Sequence, residues 1–179
     1  MAMHEEIGKS SEWYTPKYIF DALECDFDLD AAAPWDRSGL FVPTEHYISA
    51  HSLLEDWFGF VWLNPPFEGR NSKGPWLDKM RAHGNGIVLT PDRSSAPWWS
   101  AAAKVCTCHL QVYEKIKFIR PDGSLGEQPS TGTTLFGYGL QAVRALKNAE
   151  RNNLGILLKR FNQQINSPQH EIRINQVLF

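Results

Sequence analysis

The tetrapeptide Asn64-Pro65-Pro66-Phe67 directly follows the apolar run of residues 58–63, and it constrains the fold more than any other feature of the chain. A short apolar run of this kind predicts a buried β-strand, and two consecutive prolines cannot donate the hydrogen bonds of a sheet ladder. The strand must therefore stop at Asn64. Ligands of α/β proteins bind at the carboxyl ends of their strands, so the tetrapeptide lies where a functional site is expected.

Short apolar runs alternate with amphipathic stretches along most of the chain, a pattern typical of parallel strands joined by crossover helices. Helices are predicted over residues 16–24, 76–83, 96–104 and 141–151, and strands over residues 26–29, 58–63, 86–90, 110–119, 133–138 and 154–158. A loop with several glycines and prolines over residues 121–132 predicts a long β-hairpin. We therefore expect one α/β domain over residues 11–160, with a mainly parallel sheet and a C-terminal antiparallel hairpin. Residues 1–10 and 161–179 have no assigned role.

Composition limits which cellular compartment and which kinds of partner are expected for this chain. The chain has no run of roughly 18 to 20 uncharged apolar residues, and its polar N-terminus lacks the apolar stretch of a signal peptide. We therefore expect a cytoplasmic protein without a membrane partner. Cys106, Cys108 and His109 lack a second ligand pair at zinc-finger spacing, which favours core packing over a metal site. The net charge of −2 means that any contact with DNA requires a local basic surface.

The tetrapeptide has the groups that a planar amine, such as the 6-amino group of adenine, needs in order to react. The lone pair of that nitrogen is delocalised into the ring until the nitrogen is drawn towards tetrahedral geometry. The Asn64 side-chain oxygen and the Pro65 carbonyl would accept the two amine hydrogens, while Pro65 and Pro66 stiffen the backbone and Phe67 stacks on the base. The alternative is structural: the prolines end the strand, Asn64 caps a turn and Phe67 fills the core.

Around this tetrapeptide the sequence resembles the phage-type, Dam-like DNA adenine-N6 methyltransferases, whose catalytic signature is Asp or Asn, then Pro-Pro, then Tyr or Phe. The similarity includes Glu12-Trp13-Tyr14-Thr15-Pro16, Phe27-Asp28-Leu29-Asp30 and Asp56-Trp57 in the same order, and it extends more weakly to about residue 140. The resemblance implies a Rossmann-like fold and transfer of a methyl group from S-adenosylmethionine to a flipped-out adenine of DNA. For a phage-encoded protein, it also implies the cytoplasm of the bacterial host.

Five residues are implied by the resemblance to contact the cofactor: Tyr14, Thr15, Asp30, Ala31 and Asp56. Thr15 would hold the methionine carboxylate, Asp30 would lie against the amino-acid end of the cofactor, and Asp56 would face its adenine. Some of these residues also have a purely structural alternative. Thr15 also suits a helix N-cap, with Pro16 at the first helical position. Asp28 and Asp30 alternate with apolar neighbours, so one of the two would simply lie on the solvated face of a strand.

The chain departs from the wider methyltransferase pattern in two places. Ala31-Ala32-Ala33 stands where a glycine-rich turn is usual, although its small side chains would still let a ligand approach the backbone. The stretch that should supply an acidic ligand for the ribose hydroxyls is compressed into residues 35–51. Glu45 is the one carboxylate in the middle of that stretch, and a surface position is its alternative.

Contacts with DNA phosphates are expected from Arg70 and Lys73 in the polar loop of residues 68–74, and from Arg93. The alternative for each of these side chains is a solvated surface position. Because the chain is too short for a separate recognition domain, sequence specificity is expected in this loop or in residues 121–132.

Two alternatives keep the fold and change the function. Similar tetrapeptides also serve methyltransferases that act on RNA bases or on protein glutamine, and only the resemblance at residues 12–16 favours DNA. The second alternative is a non-catalytic nucleic-acid-binding module that has lost its cofactor affinity, since the glycines are missing. Product analysis tests the first alternative, and titration with S-adenosylmethionine tests the second.

Overall fold

The computed structural model describes residues 13–66 and 73–159, which form four helices and one six-stranded sheet. The helices are α1 (Lys17–Leu23), α2 (Lys73–His83), α3 (Pro97–Val105) and α4 (Gly139–Arg151). The strands are β1 (Leu29–Asp30), β2 (Val61–Leu63), β3 (Gly86–Pro91), β4 (Cys108–Val112), β5 (Thr133–Tyr138) and β6 (Gly155–Lys159). Every predicted helix and strand overlaps one of these elements. The predicted site residues Phe67 and Arg70 lie outside the described residues, as do both terminal segments.

One predicted strand is much shorter than the sequence pattern suggests. The prediction over residues 110–119 extends well past the observed end of β4 at Val112. Val112 pairs with Gly155, the first residue of β6, so the ladder has no further partner residues beyond that point. The chain then leaves the sheet and pairs again only at Ile119, which bridges to Tyr14.

The strand order is β1-β2-β3-β5-β4-β6. The ladders β1–β2 and β2–β3 are parallel, whereas β3–β5, β5–β4 and β4–β6 are antiparallel. The expectation of a mainly parallel sheet is therefore wrong for the described residues. The reason is that β5 lies between β3 and β4, and β4 lies between β5 and β6. Helix α2 joins the neighbouring parallel strands β2 and β3, as predicted. Helix α3 joins β3 to β4 across β5, and α4 joins β5 to β6 across β4, so these two connections pass over a strand of opposite direction.

Two hydrophobic clusters lie on opposite faces of the sheet. One joins α1 and α4 to the sheet and includes Trp62, and the other joins α2 and α3 to the sheet and includes Val61 and Leu63. Successive residues of β2 thus pack on opposite sides, as the pleat of a strand requires. Burial on both faces explains why this strand is apolar throughout and does not alternate with polar residues.

The directions of the strands bring several chain segments to one edge of the sheet. Because β1, β2 and β3 are parallel, their last residues Asp30, Leu63 and Pro91 lie at the same edge. Since β5 runs in the opposite direction, its first residue Thr133 pairs with Pro91 and lies there too. We call this the carboxyl edge, and it carries the candidate site.

Candidate active site

A cavity of about 690 Å³ opens at the carboxyl edge. Its wall contains five residues predicted for the site: Tyr14, Ala31, Asn64, Pro65 and Pro66. Cavities that hold small molecules commonly measure about 300–1,000 Å³, so this one has room for a cofactor. The structure therefore brings together three segments that are far apart along the chain, and we call this space the first cavity.

The two polar atoms of the Asn64 side chain differ in their hydrogen bonding. Its Nδ2 donates a hydrogen bond of 3.1 Å to the backbone carbonyl of Trp13. Its Oδ1 is buried and accepts no hydrogen bond from any residue that the structure describes. A buried acceptor without a donor costs roughly 1–3 kcal/mol, and it is usually explained by a ligand or water. The Asn64 oxygen is thus available to accept a hydrogen from a bound molecule.

Thr15 is not the N-cap of α1. The N-cap is Pro16, and no side chain caps this helix end. The Thr15 hydroxyl is buried and has no hydrogen-bond partner within the described part of the chain. Thr15 itself does not line the first cavity, but its neighbour Tyr14 does. The helix-cap interpretation is therefore wrong, and an unsatisfied hydroxyl remains beside the cavity wall.

The two carboxyls of the Asp28–Asp30 region have different environments. Asp28 is exposed, and its Oδ2 accepts a hydrogen bond of 2.6 Å from the Phe60 amide. Asp30 is only 3% exposed, and its Oδ1 accepts a hydrogen bond of 3.1 Å from the Ala32 amide. Burial raises the pKa of Asp30 to about 7, which the hydrogen bond from Ala32 partly opposes. Asp30 is thus the carboxyl that the fold places inside the protein, directly before the cavity residue Ala31.

The structure does not bring every predicted cofactor residue to the first cavity. Asp56 and Glu45 are exposed, and neither lines it. The segment of residues 48–54 forms much of the wall, together with Trp35 and Trp76. Residues 48–54 were not predicted for the site because they follow no helix or strand period. The run of small and polar residues at 49–52 was the only signal.

The segment of residues 48–54 is held by α2. Lys79 Nζ donates hydrogen bonds to the Ser52 carbonyl at 2.9 Å and the Leu53 carbonyl at 3.0 Å, and it also contacts the Glu55 carbonyl. The Lys79 ammonium lies 5.0 Å from the centre of the Trp57 ring, and the Trp57 indole donates to the Ser52 hydroxyl at 3.0 Å. One lysine thus binds three backbone carbonyls within residues 52–55, at the segment that borders the cavity.

Two of the residues predicted to contact DNA are described, and they differ in exposure. Arg93 is exposed after the end of β3, whereas Lys73 is only 7% exposed at the start of α2. The Lys73 ammonium lies 5.9 Å from the centre of the Trp98 ring. Burial lowers the pKa of Lys73, and the positive charge of Arg93 adds to this effect. The two cations therefore lie near each other.

A second cavity of about 540 Å³ lies at the same edge. It is bordered by residues 127–132 of the predicted loop, by Phe118 and Arg120, and by Pro91 at the end of β3. Trp13 borders both cavities. This loop was predicted as a place for sequence specificity, but its cavity was not predictable, because it depends on how the loop folds against residues 13 and 91.

A helix that could cross a membrane does not occur among the described residues, and a cluster of three or more potential metal ligands is not found among them. A family model for DNA N-6-adenine-methyltransferase (Dam) matches residues 4–135, more than half of the chain. The matched range includes the segments of the first cavity and ends within β5. Comparisons with curated proteins and with solved structures find no match.

Proposed function

Because the chain belongs to the DNA N-6-adenine-methyltransferase (Dam) family, as its motifs predicted, we propose that it transfers a methyl group from S-adenosylmethionine to the 6-amino group of adenine in DNA. Asn64 carries this proposal: its Oδ1 is a buried acceptor that has no donor among the described residues, and Asn64 lines a cofactor-sized cavity. We assign this activity to a Rossmann-like domain over residues 11–160.

The residues at the first cavity suit S-adenosylmethionine. The wall includes Ala31, Ala32 and Ala33, whose small side chains leave space against the backbone. Thr15 and Asp30 do not line the cavity themselves, but each is next to a residue that does, Tyr14 and Ala31. Thr15 has a buried hydroxyl without a partner among the described residues, and Asp30 offers a carboxyl for the amino-acid end of the cofactor. When bound, S-adenosylmethionine supplies a methyl group on a positively charged sulfur, which is already activated for transfer.

The proposed cofactor contacts are Tyr14, Thr15, Asp30 and Ala31. They do not include Asp56, because its side chain is exposed and away from the cavity wall. The small side chains of Ala31–Ala33 perform the task that glycines perform in the wider methyltransferase pattern, namely close approach of the ligand to the backbone. The missing glycines therefore do not weaken the case for cofactor binding.

The adenine amine is made reactive by two acceptors of the tetrapeptide. Asn64 Oδ1 accepts one amine hydrogen and the Pro65 carbonyl accepts the other, so the nitrogen lone pair is released from the ring and directed at the methyl group. Pro65 and Pro66 keep both acceptors in place, which lowers the reorganisation needed in the transition state. A base inside a duplex is out of reach, so the adenine leaves the stack, and Phe67 is the proposed stacking surface. The proton leaves the nitrogen after the transfer.

DNA contacts are proposed at the same edge. Arg93 and Lys73 lie near each other, and Arg70 is between the tetrapeptide and α2 in the sequence. These cations would bind phosphates and position the strand. Gln128 and Arg120 border the second cavity, and amide and guanidinium groups are the ones that read base edges. Residues 121–132 are therefore the proposed specificity loop.

The direct test uses S-adenosylmethionine with an isotopically labelled methyl group and unmethylated duplex DNA, followed by digestion and mass spectrometry of the nucleosides. Labelled 6-methyladenine supports the proposal. Label that appears only in RNA, or only on glutamine of added protein substrates, overturns the assigned acceptor.

The matched variants are Asn64→Ala and Asn85→Ala. Asn85 also donates its amide to a backbone carbonyl, Gly59 O at 3.0 Å, but it precedes β3 at the opposite edge of the sheet. We expect Asn64→Ala to lose at least about 100-fold in rate, as for removal of one transition-state hydrogen bond, and to keep cofactor binding in calorimetry. Asn85→Ala is expected to keep the methylation rate and the cofactor binding of the wild type. Loss of cofactor binding by Asn64→Ala would contradict the catalytic role.

A further inference from the structure

We propose that the backbone carbonyl of Trp13 orients the side-chain amide of Asn64 and so requires asparagine, and not aspartate, at this position. The inference rests on the proposed function, in which Asn64 Oδ1 faces the adenine amine. Trp13 is then a positioning residue, because it acts on the substrate only through Asn64.

The two ends of the Asn64 amide have opposite hydrogen-bonding capacities, and the structure uses that difference. A carbonyl oxygen can only accept, so the group opposite Trp13 O must be the amide nitrogen, which lies 3.1 Å away. The amide oxygen is then forced to the other side, where it is buried and no residue within 13–66 or 73–159 donates to it. A half-turn of the amide would place two acceptor oxygens against each other.

The Trp13 carbonyl is held in place by the residue that follows it. Tyr14 exchanges two backbone hydrogen bonds with Ile119, of 2.8 Å and 2.9 Å. The Tyr14 hydroxyl donates to the Asp36 carbonyl at 3.2 Å. The backbone on the C-terminal side of the Trp13 carbonyl is therefore tied to two distant segments, and the carbonyl cannot easily turn away from Asn64.

The Trp13 ring is enclosed as well. The Arg120 guanidinium lies 5.5 Å from the centre of the ring, and its Nη1 donates to the Leu125 carbonyl at 2.7 Å. On another side the ring lies against Gly126, where an added Cβ would come within 2.5 Å of the ring carbon Cζ3. Only glycine at position 126 leaves room for the ring. The turn of residues 119–126 thus supports Trp13, which in turn orients Asn64.

Asn64→Asp tests this arrangement, because the exchange keeps the size of the side chain and replaces the amide nitrogen by oxygen. An ionised carboxylate would face the Trp13 carbonyl with a second acceptor and would also carry a buried charge. A protonated carboxyl would donate its O–H to Trp13 O and would present its other oxygen to the amine. The variant is therefore expected to recover activity as the pH falls.

Other titratable groups near Asn64 must be separated from the introduced carboxyl. Tyr14 and His51 line the same cavity, Asp30 ends the neighbouring strand, and Arg120 lies over the Trp13 ring. All four are also present in Asn64→Ala. The ratio of the two variants' rates at each pH therefore reports on the introduced carboxyl alone.

The first measurement is the rate of adenine methylation by the wild type, Asn64→Asp and Asn64→Ala between about pH 5 and about pH 8. At about pH 8 both variants are expected to be at least about 100-fold slower than the wild type. As the pH falls, the ratio of Asn64→Asp to Asn64→Ala should rise about tenfold per pH unit until the carboxyl is protonated. A ratio that stays constant with pH, or a wild-type rate for Asn64→Asp at about pH 8, overturns the inference.

The second measurement is thermal unfolding of the same variants without DNA or cofactor. At low pH Asn64→Asp should have the higher Tm of the two variants, because its O–H satisfies the Trp13 carbonyl. Burial raises the pKa of the introduced carboxyl in the folded state, so this stability is lost as the pH rises through that pKa, and the two Tm curves should cross. Curves that do not cross overturn the inference. If they cross while the wild type methylates no adenine, the proposed function fails and the orientation of Asn64 by Trp13 stands.

Discussion

Two single residues of the site, Thr15 and Asn64, each bury an oxygen that no described residue satisfies. Such an atom costs roughly 1–3 kcal/mol of folding stability, so it is retained where it has another use. Both residues belong to motifs that the sequence identified. The contact of Asn64 Nδ2 with the Trp13 carbonyl was not predictable, because a hydrogen-bond partner from a distant segment leaves no trace in local sequence. The helix-cap interpretation of Thr15 failed because α1 begins one residue later than expected, with Pro16 as its N-cap.

Thr15→Val replaces the buried hydroxyl by a methyl group of similar size. Since the hydroxyl has no partner in the part of the chain that the structure describes, we expect the Tm to stay the same or to rise. The affinity for S-adenosylmethionine is expected to fall about tenfold, equivalent to one hydrogen bond. Thermal unfolding and calorimetric titration measure the two effects.

Thr134→Val is the matched control, because the Thr134 hydroxyl accepts a hydrogen bond of 3.2 Å from the Trp99 indole. It is expected to lose about 1–2 kcal/mol of stability with unchanged cofactor affinity. Equal loss of stability in both variants would show that Thr15 has a structural partner.

The buried carboxyl of Asp30 makes the stability of the folded protein depend on pH. Because burial raises its pKa to about 7, its contribution to stability is full below the ordinary value of 3.8 and is lost as the pH rises towards 7. The shift of about three units corresponds to roughly 4 kcal/mol as an upper limit. Asp30→Asn keeps an acceptor for the Ala32 amide and removes the titration. We therefore expect the Tm of the wild type to fall more between about pH 4 and about pH 7 than that of Asp30→Asn.

The exposed carboxyl of Asp26 gives the control for loss of a charge on the same segment. Asp26→Asn should keep the Tm profile of the wild type in thermal unfolding. If Asp30→Asn also keeps that profile, the Asp30 carboxyl is more solvated than its position implies.

At the scale of elements, α2 has a task that its sequence does not reveal. Its residue Lys79 binds the carbonyls of Ser52 and Leu53, and so it shapes the wall of the first cavity. The helix was predicted from its apolar positions, which concern its packing face only. The contact of Lys79 could not be predicted in this way, because it depends on where residues 48–54 lie in the folded protein.

Lys79→Met keeps the aliphatic stem and removes the three backbone contacts. We expect the KM for S-adenosylmethionine to rise about three- to tenfold, because the wall of the cavity loses its anchor, with a smaller effect on kcat. Steady-state kinetics at saturating DNA measure the two constants.

Lys147→Met, on the exposed face of α4, is the control for loss of a positive charge from a helix. An unchanged KM in Lys79→Met would mean that residues 48–54 are stable without the lysine.

For the whole molecule, the net charge of −2 gives DNA no general attraction. Under the proposed function we expect DNA binding to depend on cations at the carboxyl edge, of which Arg93 is exposed and lies near Lys73. The ends of β1, β2 and β3 and the start of β5 all lie at this edge, so the first cavity and the proposed DNA contacts are close together.

Arg93→Ala is expected to weaken DNA binding similarly for all sequences and to reduce the slope of log K against log salt by about one, as for the loss of one phosphate contact. Fluorescence anisotropy with labelled duplexes at several salt concentrations measures both quantities. Arg81→Ala, in the last turn of α2 at the opposite edge, should leave the slope unchanged. A change of slope in Arg81→Ala and not in Arg93→Ala would place the DNA on a different surface.

The sequence by itself determined the elements and a smaller part of the cavity wall, namely Tyr14, Ala31 and residues 64–66. Prolines 65 and 66 had to end β2, because proline cannot continue a sheet ladder, and Asn64 therefore had to lie at the carboxyl edge. The same local rules gave four helices, six strands and their directions within each crossover. Ala31 and Tyr14 were predicted from motifs, and the structure places both on the first cavity.

Only the tertiary structure decided which strands are neighbours and which groups meet. The insertion of β5 between β3 and β4 depends on burial and hydrogen bonding across the whole sheet, and so the mainly parallel sheet was predicted wrongly. Asp56 lies away from the first cavity and Lys79 supports it, although nothing local distinguishes the two positions. The contact between Trp13 and Asn64 joins residues 51 positions apart. Local sterics and periodicity act within a few residues, whereas contacts of this kind are selected by the free energy of the complete fold.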